Sequence, residues 1–198
     1  MGVKQNGVGQ YVDTSMLDGA VSWLPVLAND YFVKGVSPKA AENILNGQNA
    51  CYEVYETADG RYISIGAIEP HLWANFCDAI GKEEFKLWQR DLTKQDEMFA
   101  CLREMFKSKT QAEWIEKLTG VDCCWAPVKN LEEVFADPQV LARDMVYEMT
   151  DPAGCYGSVK MIGSAVKLSE TPARKELFPP RKGEHNAEYL KAVGYSDE

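Results

Sequence analysis

A chain of 198 residues with 45% hydrophobic and 26% charged residues has the composition of a globular protein that can bury a core, as one domain or two small ones. Its formal net charge of −9 argues against a nucleic-acid partner, because phosphates would be repelled. No apolar run approaches the length of a membrane span, and the N-terminal stretch has no apolar signal core. We therefore expect a cytoplasmic protein that binds neither nucleic acid nor a membrane.

The cysteines and histidines give no sign of a metal site or a disulfide framework. The six cysteines never form a C-x-x-C pair, and His71 and His185 lie more than half the chain apart. Most cysteines have apolar neighbours, so we expect no metal and reduced thiols that pack as small hydrophobic side chains. A nucleophilic Cys123 or Cys124 stays an alternative, although Val121-Asp122 offers no positive charge to stabilise a thiolate.

The N-terminal segment is predicted to form the end of a strand and then a helix. Residues 11–13 have a strand pattern, and apolar residues recur every three to four positions over 16–32. Ser15 or Thr14 can cap this helix. Pro25 lies inside the pattern and predicts a kink.

A hairpin and a strand-to-helix corner follow the polar loop of residues 34–50. Strand patterns at 52–55 and 61–67 flank Asp59-Gly60, which is a strong signal for a tight turn. Apolar residues then recur at helical spacing after Pro70, a residue that suits the first position of a helix. The sequence therefore predicts a strand that turns directly into a helix.

Glu69 is the last extended residue of that corner, because the residue before a proline is held out of the helical region. A carboxylate here faces the unpaired N–H groups and the positive end of the following helix, and its oxygens are available to a donor. The simplest interpretation is that Glu69 only caps the helix. Because the hairpin returns toward the polar loop, Gly47 and Glu69 are expected to end near each other.

The rest of the chain alternates helices with short strands. Thr110 with Glu113, and Asn130 with Glu133, have the pattern of capping boxes. Trp73, Trp88, Trp114 and Trp125 lie at helix or strand positions, so we expect core packing rather than an acyl-chain site. His71 is expected to face solvent or cap its helix, and His185 to order the tail. Helices are predicted at 83–88, 93–107, 110–118, from 130 toward 135, from 137 to near 145 and at 187–193, and strands at 123–128, 146–149 and 159–162.

Several motifs in the same order resemble the family III CoA-transferases, the superfamily that also contains alpha-methylacyl-CoA racemase. Several ordered motifs are more specific than any one alone, and they run through nearly the whole chain. They are GQYVDTSMLDG at 9–19, YEVYETADGRYISIGAIEPHLW at 52–73, TQAEW at 110–114, WAPVKNLEEVFADPQVLARDM at 125–145 and GEHNAEYLKAVGYS at 183–196.

The resemblance implies an α/β fold that corresponds to the second half of such a protein. Residues 1–45 would be the end of a large domain and a linker helix, 46–146 a small α/β domain, and 147–198 the return segment and C-terminal helix of an incomplete Rossmann-like large domain. A separate N-terminal half would supply most of the coenzyme A contacts. The resemblance also implies association, with homo- or hetero-oligomeric interlocked subunits.

The resemblance implies a coenzyme A thioester as the substrate, with no covalently bound cofactor. The aspartate nucleophile of the transferases, and the histidine and aspartate of the racemases, would belong to the N-terminal half polypeptide. Glu69 matches the glutamate of the GAIEP motif, which in the racemases lies beside the catalytic histidine. Gly47 and Gln48 match the family's glycine-containing loop, although a second glycine expected in many members is here Gln48.

Two function classes stay open on the sequence alone. The first is an enzyme half that works with an N-terminal polypeptide, either in CoA transfer between carboxylic acids or in racemisation by α-proton abstraction. The GAIEP motif favours the racemase branch by a modest margin. The second is a non-catalytic scaffold or oligomerisation module that keeps only the small domain. Glu69 speaks against the second, because a scaffold does not need that carboxylate.

Overall fold

The computed structural model describes residues 7–173 and 178–195 of the chain. Contacts within the chain divide it into two compact units, Met1–Val128 and Lys129–Glu198. The domain limits at 45 and 146, which the resemblance implies, stay a prediction. None of the helices in the described ranges is long and apolar enough to cross a membrane.

The first unit combines helices with a small antiparallel sheet. Strand β2 lies in the centre of the sheet and pairs with β1 on one side and β3 on the other. Its elements are α1 Met16–Val21, α2 Pro25–Lys34, β1 Tyr52–Glu56, β2 Tyr62–Gly66, α3 Pro70–Ile80, α4 Phe85–Trp88, a 3-10 helix Leu92–Lys94, α5 Gln95–Lys107, α6 Gln111–Leu118 and β3 Trp125–Pro127.

The second unit contains short helices and a two-stranded antiparallel sheet in which β4 pairs with β5. Its elements are α7 Leu131–Ala136, α8 Pro138–Ala142, β4 Val146–Thr150, β5 Ser158–Ile162 and α9 Asn186–Ala192. The predicted helices and strands of this region are therefore present at close to their expected positions.

The core of the first unit forms between the inner face of the sheet and helices α3, α5 and α6. Phe106 is fully buried at its centre, stacked on Tyr55 with ring centroids 4.8 Å apart and packed against Trp114 at 4.6 Å. The apolar stripes of the helices and the alternation of β2 therefore converge on one cluster, as their periodicity predicts.

The local start and stop signals are confirmed in the structure. Ser15 caps α1, and its hydroxyl accepts hydrogen bonds from the backbone N–H groups of Leu17 and Asp18. Both predicted capping boxes form, Thr110 with Glu113 and Asn130 with Glu133. These devices depend on residues two or three positions apart, so a short stretch of sequence specifies them.

Two N-terminal predictions are wrong. Residues 11–13 do not form a strand, because no described segment pairs with them and their side chains are exposed. The single helix predicted over 16–32 is two helices, since Pro25 occupies the first position of α2 rather than kinking a continuous helix. A proline lacks the N–H that a helix interior needs, and the first turn is where this loss is harmless.

Candidate functional site

Glu69 lies at the junction of β2 and α3 with an extended backbone, φ −70° and ψ 135°, and Pro70 begins the helix. This confirms the predicted corner. The Glu69 side chain makes no capping hydrogen bond and is exposed to solvent. Among the described residues it has neither a hydrogen-bond partner nor an ion-pair partner, so the simple capping interpretation does not describe it. Its oxygens are available to a donor from outside this part of the chain.

The backbone just before Glu69 is held by side chains from the segment after α4. The Gln89 amide nitrogen donates hydrogen bonds to the carbonyl oxygens of Ala67, at 3.0 Å, and Ile68, at 2.9 Å. The exposed Arg90 guanidinium adds a second donor to the Ile68 carbonyl at 3.1 Å. The main chain that carries Glu69 is therefore fixed although the Glu69 side chain itself has no partner.

Buried amide side chains link the same segment to the loop that contains Gly47. The Asn49 side-chain nitrogen donates to the Gln89 carbonyl oxygen at 3.1 Å. The Gln95 side-chain oxygen accepts from the Ala50 N–H at 2.9 Å. Asn49, Gln89 and Gln95 are each no more than 5% exposed. Buried polar groups of this kind are stable only when they are hydrogen-bonded, so the network fixes where the loop enters β1.

Gly47 lines a cleft of about 440 Å³ on the outer face of the three-stranded sheet. The residues that line the cleft include the small residues Ser64, Gly66 and Ala126, together with Tyr52. Gly47 has a φ of 99°, and a side-chain carbon built there would lie 3.2 Å from a carboxylate oxygen of Glu53. The positive φ favours glycine at this position, and any larger side chain would also displace the Glu53 carboxylate.

The predicted site residues do not all line one cavity. Gly47 and Gly66 both line the cleft, whereas Glu69 and Gln48 do not. Glu69 follows Gly66 by three residues, which span at most roughly 11 Å. Gln48 is half-buried, and its N–H donates to the Asn43 carbonyl at 3.3 Å. The binding roles of Gly47 and Gln48 stay predictions.

Three of the six cysteines, Cys51, Cys77 and Cys123, are buried in the core and pack there as small hydrophobic side chains. All six are free thiols. Burial raises the pKa of the Cys123 thiol to about 11 and that of Cys77 to about 12. Burial also raises the pKa of Cys51, and the nearby positive charge of Arg90 only partly offsets it. A thiol with a raised pKa is protonated near neutrality and reacts slowly. Cys124 is exposed in a left-handed backbone conformation with φ 48°.

The histidines and tryptophans follow their expected structural roles. His71 is exposed on the first turn of α3, and His185 lies 3.4 Å from Glu188 at the start of α9. Trp73 and Trp114 are buried in the core, where their indole nitrogens donate to the carbonyl oxygens of Phe85 and Phe106. Within 7–173 and 178–195, no cluster of three or more His, Cys, Asp or Glu side chains could hold a metal ion.

Sequence reasoning missed the residues that organise this site, namely Asn49, Gln89, Arg90 and Gln95. Their hydrogen bonds to the loop and the corner join residues 21 to 45 positions apart. No spacing rule relates such distant residues, and single polar residues next to a short helix have no periodicity. Only the tertiary structure shows that they meet.

The mixed α/β architecture, the strand-to-helix corner and the cleft beside it define a class of fold that known proteins share. A crystal structure of a CAIB/BAIF family protein from Brucella suis has this fold, with a TM-score of 0.73 and 23% identity over 96% of this chain and 50% of that one. The family model for CoA-transferase family III matches residues 1–186. The chain therefore belongs to CoA-transferase family III, and the predicted membership is confirmed.

Curated relatives have more than one activity in their names. An acyl-CoA transferase of Fusarium pseudograminearum is 32% identical over 98% of this chain and 43% of its own length. An alpha-methylacyl-CoA racemase of Mus musculus is 31% identical over 98% of this chain and 50% of its own length. A human succinyl-CoA:glutarate CoA-transferase is 27% identical over 96% of this chain and 44% of its own length. This chain thus spans about half the length of these relatives.

Proposed function

We propose that this chain is the part of an acyl-CoA enzyme that supplies the Glu69 carboxylate, and that it acts together with an N-terminal polypeptide of the family. The observation that carries the proposal is the state of Glu69. It is a carboxylate without a partner among the described residues, on a backbone held by buried hydrogen bonds. A carboxylate that capped the helix would be paired with its N–H groups, whereas Glu69 is available to a donor from outside this part of the chain.

The chemistry we propose is support of a histidine base. A carboxylate that accepts a hydrogen bond from an imidazole selects its tautomer and raises its basicity. Removing the weakly acidic proton next to a thioester carbonyl needs such a base near neutral pH. The histidine would come from the N-terminal polypeptide and would meet Glu69 from the solvent side.

Exposed apolar side chains at the start of the chain support the requirement for a partner. Helices α1 and α2 contain no buried residue. Met16 is 94% exposed and Trp23 is 87% exposed. Large apolar side chains that are exposed in this number are typical of protein interfaces. We propose that the N-terminal polypeptide covers it and places its catalytic residues beside Glu69.

A second candidate reaction is CoA transfer between carboxylic acids, which the names of the Fusarium pseudograminearum and human relatives favour. In that case an aspartate of the N-terminal polypeptide would form the acyl adduct, and Glu69 would orient a polar group at its side. The acyl group that the protein accepts would be set by both polypeptides.

The experiment that tests the proposal is a reconstitution. The chain is co-expressed with the part of the Mus musculus racemase that it does not cover, and the purified assembly is given a 2-methylacyl-CoA in D2O. Mass spectrometry then measures deuterium at the α-carbon, and a parallel assay measures CoA exchange with a free acid.

We expect deuterium incorporation by the assembly and none by the chain alone. CoA exchange without deuterium incorporation would support the second candidate instead. An assembly that forms but neither binds nor turns over thioester would contradict both reactions and support the scaffold.

A further inference from the structure

Gln89 hydrogen-bonds to the backbone directly before Glu69 and to the segment directly after the Gly47 loop. Its side-chain nitrogen donates to the Ala67 and Ile68 carbonyls, directly before Glu69. Its backbone carbonyl accepts from the Asn49 side chain, two residues after Gly47. Gln89 is 5% exposed, so water cannot replace these bonds.

Further hydrogen bonds connect the Gly47 loop, the Glu69 corner and the segment after α4. Gln95 binds the same segment, because its side-chain nitrogen donates to the carbonyl oxygens of Asp91, at 2.9 Å, and Gln89, at 3.4 Å, while its side-chain oxygen accepts from the Ala50 N–H. The Ala67 N–H in turn donates to the Cys51 carbonyl at 2.9 Å. The loop and the corner therefore cannot shift relative to each other without breaking several buried hydrogen bonds.

We propose that Gln89 is a positioning residue that holds the Glu69 corner and the Gly47 loop as one unit, a role that rests on the proposed function of Glu69. Because no side chain within 7–173 and 178–195 pairs with the Glu69 carboxylate, the backbone sets its location. A carboxylate that supports a base has to meet its donor within about 2.6–3.2 Å. A displacement of the corner by a fraction of this distance would slow the reaction.

The chain contains a matched control for this role. Gln111 is also 5% exposed, and its side-chain nitrogen donates to two carbonyl oxygens, those of Tyr62 at 2.7 Å and Val128 at 3.2 Å. These bonds lie at the opposite end of β2 from Glu69. Gln89→Met and Gln111→Met remove the same chemistry from equally buried places.

The first test is amide hydrogen exchange in the chain itself, followed residue by residue. Gln89→Met removes the bonds to the corner and should accelerate exchange of the Ala67 and Trp73 amides by about tenfold or more, relative to the Val128 amide. Gln111→Met should show the reverse pattern. Equal acceleration of all three amides in Gln89→Met would mean that Gln89 contributes only global stability, and it would overturn the proposal.

Arg90→Met is the second variant, for the case in which Gln89→Met does not fold. Arg90 is exposed, so its replacement leaves the core intact, yet it removes one of the donors to the Ile68 carbonyl. We expect faster exchange at Trp73, whose N–H donates to the Glu69 carbonyl, with Val128 unchanged. An unchanged exchange rate of the Trp73 amide would contradict the claim that the Gln89 and Arg90 side chains hold the corner.

The second test is kinetic and uses the assembled protein. Gln89→Met should lower kcat by about tenfold or more with little change in KM, whereas Gln111→Met should leave kcat near its original value. Equal losses in the two variants would contradict the positioning role. If the unsubstituted assembly has no activity, the proposed function of Glu69 is what fails, and the exchange pattern alone decides whether Gln89 couples the two segments.

Discussion

At each end of strand β2 a buried glutamine side chain donates to two carbonyl oxygens, but the carboxylate beside it differs between the two ends. At the Tyr62 end, Gln111 bonds two carbonyls, and its own N–H donates to Asp59, which also accepts from the Thr57 hydroxyl at 2.5 Å. At the other end, Gln89 bonds two carbonyls beside a carboxylate that has no partner among the described residues. The first end uses its carboxylate for stability, and we propose that the second leaves its carboxylate available for chemistry.

Phe106→Ala should have the largest effect, because the same aromatic core supports both ends. Phe106 is fully buried and packs against Tyr55 and Trp114. Its truncation should lower the free energy of unfolding by about 3–5 kcal/mol, measured by urea unfolding. Leu87→Ala, at a side chain that is 89% exposed, is the control and should change it little. A small effect of Phe106→Ala would show that the ends do not share one core.

Gly47→Ala and Gly60→Ala compare the stability cost of replacing a glycine near each end of strand β2. Both glycines have a positive φ, 99° at Gly47 and 72° at Gly60, so alanine should cost about 1–2 kcal/mol at either position. At Gly47 the new methyl group also meets Glu53, whereas nothing lies within 4 Å at Gly60. We therefore expect Gly47→Ala to lower the unfolding temperature by more than Gly60→Ala does. Equal unfolding temperatures of the two variants would show that the contact with Glu53 has no effect on stability.

Acid should weaken the Tyr62 end through Asp59. The hydrogen bond from Thr57, together with those from backbone N–H groups, lowers the pKa of this carboxyl in the folded state. Its stabilising effect is therefore complete above the unfolded pKa, about 3.9, and is lost as the pH falls through the folded pKa.

Thermal unfolding between about pH 5 and pH 3 measures this loss. Asp59→Asn should make the decline in unfolding temperature shallower than in the unsubstituted chain. Glu69→Gln should leave the decline unchanged, because Glu69 has no hydrogen-bond or ion-pair partner among the described residues. A shallower decline in Glu69→Gln would reveal a structural partner for this carboxylate. It would contradict the claim that Asp59 is paired in the fold and Glu69 is not.

Local signals in the sequence were enough to predict the corner and the caps of the helices. The X-Pro restriction at Glu69-Pro70, the turn at Asp59-Gly60 and the capping box of Thr110 with Glu113 each depend on residues that are neighbours in the chain. The strand over 11–13 failed for the opposite reason, since a strand exists only when a second segment pairs with it.

The site could be predicted only in part for the same physical reason. Glu69 and Gly47 have local motifs, but the amides that fix them do not. Asn49 and Gln89 are 40 residues apart and bond only because α3 and α4 return the chain to the sheet. The free state of the Glu69 side chain likewise depends on which donors the folded chain places nearby, and no short motif contains that information.

The most direct test of the central claim is the α-proton exchange rate of the assembled enzyme with Glu69→Gln, beside the matched control Glu116→Gln. Both carboxylates are exposed and, among the described residues, neither has a partner, but Glu116 lies on α6. We predict that Glu69→Gln lowers the rate by at least about 100-fold with the unfolding temperature unchanged, and that Glu116→Gln alters neither. An unchanged exchange rate in Glu69→Gln would contradict the proposed role of this carboxylate.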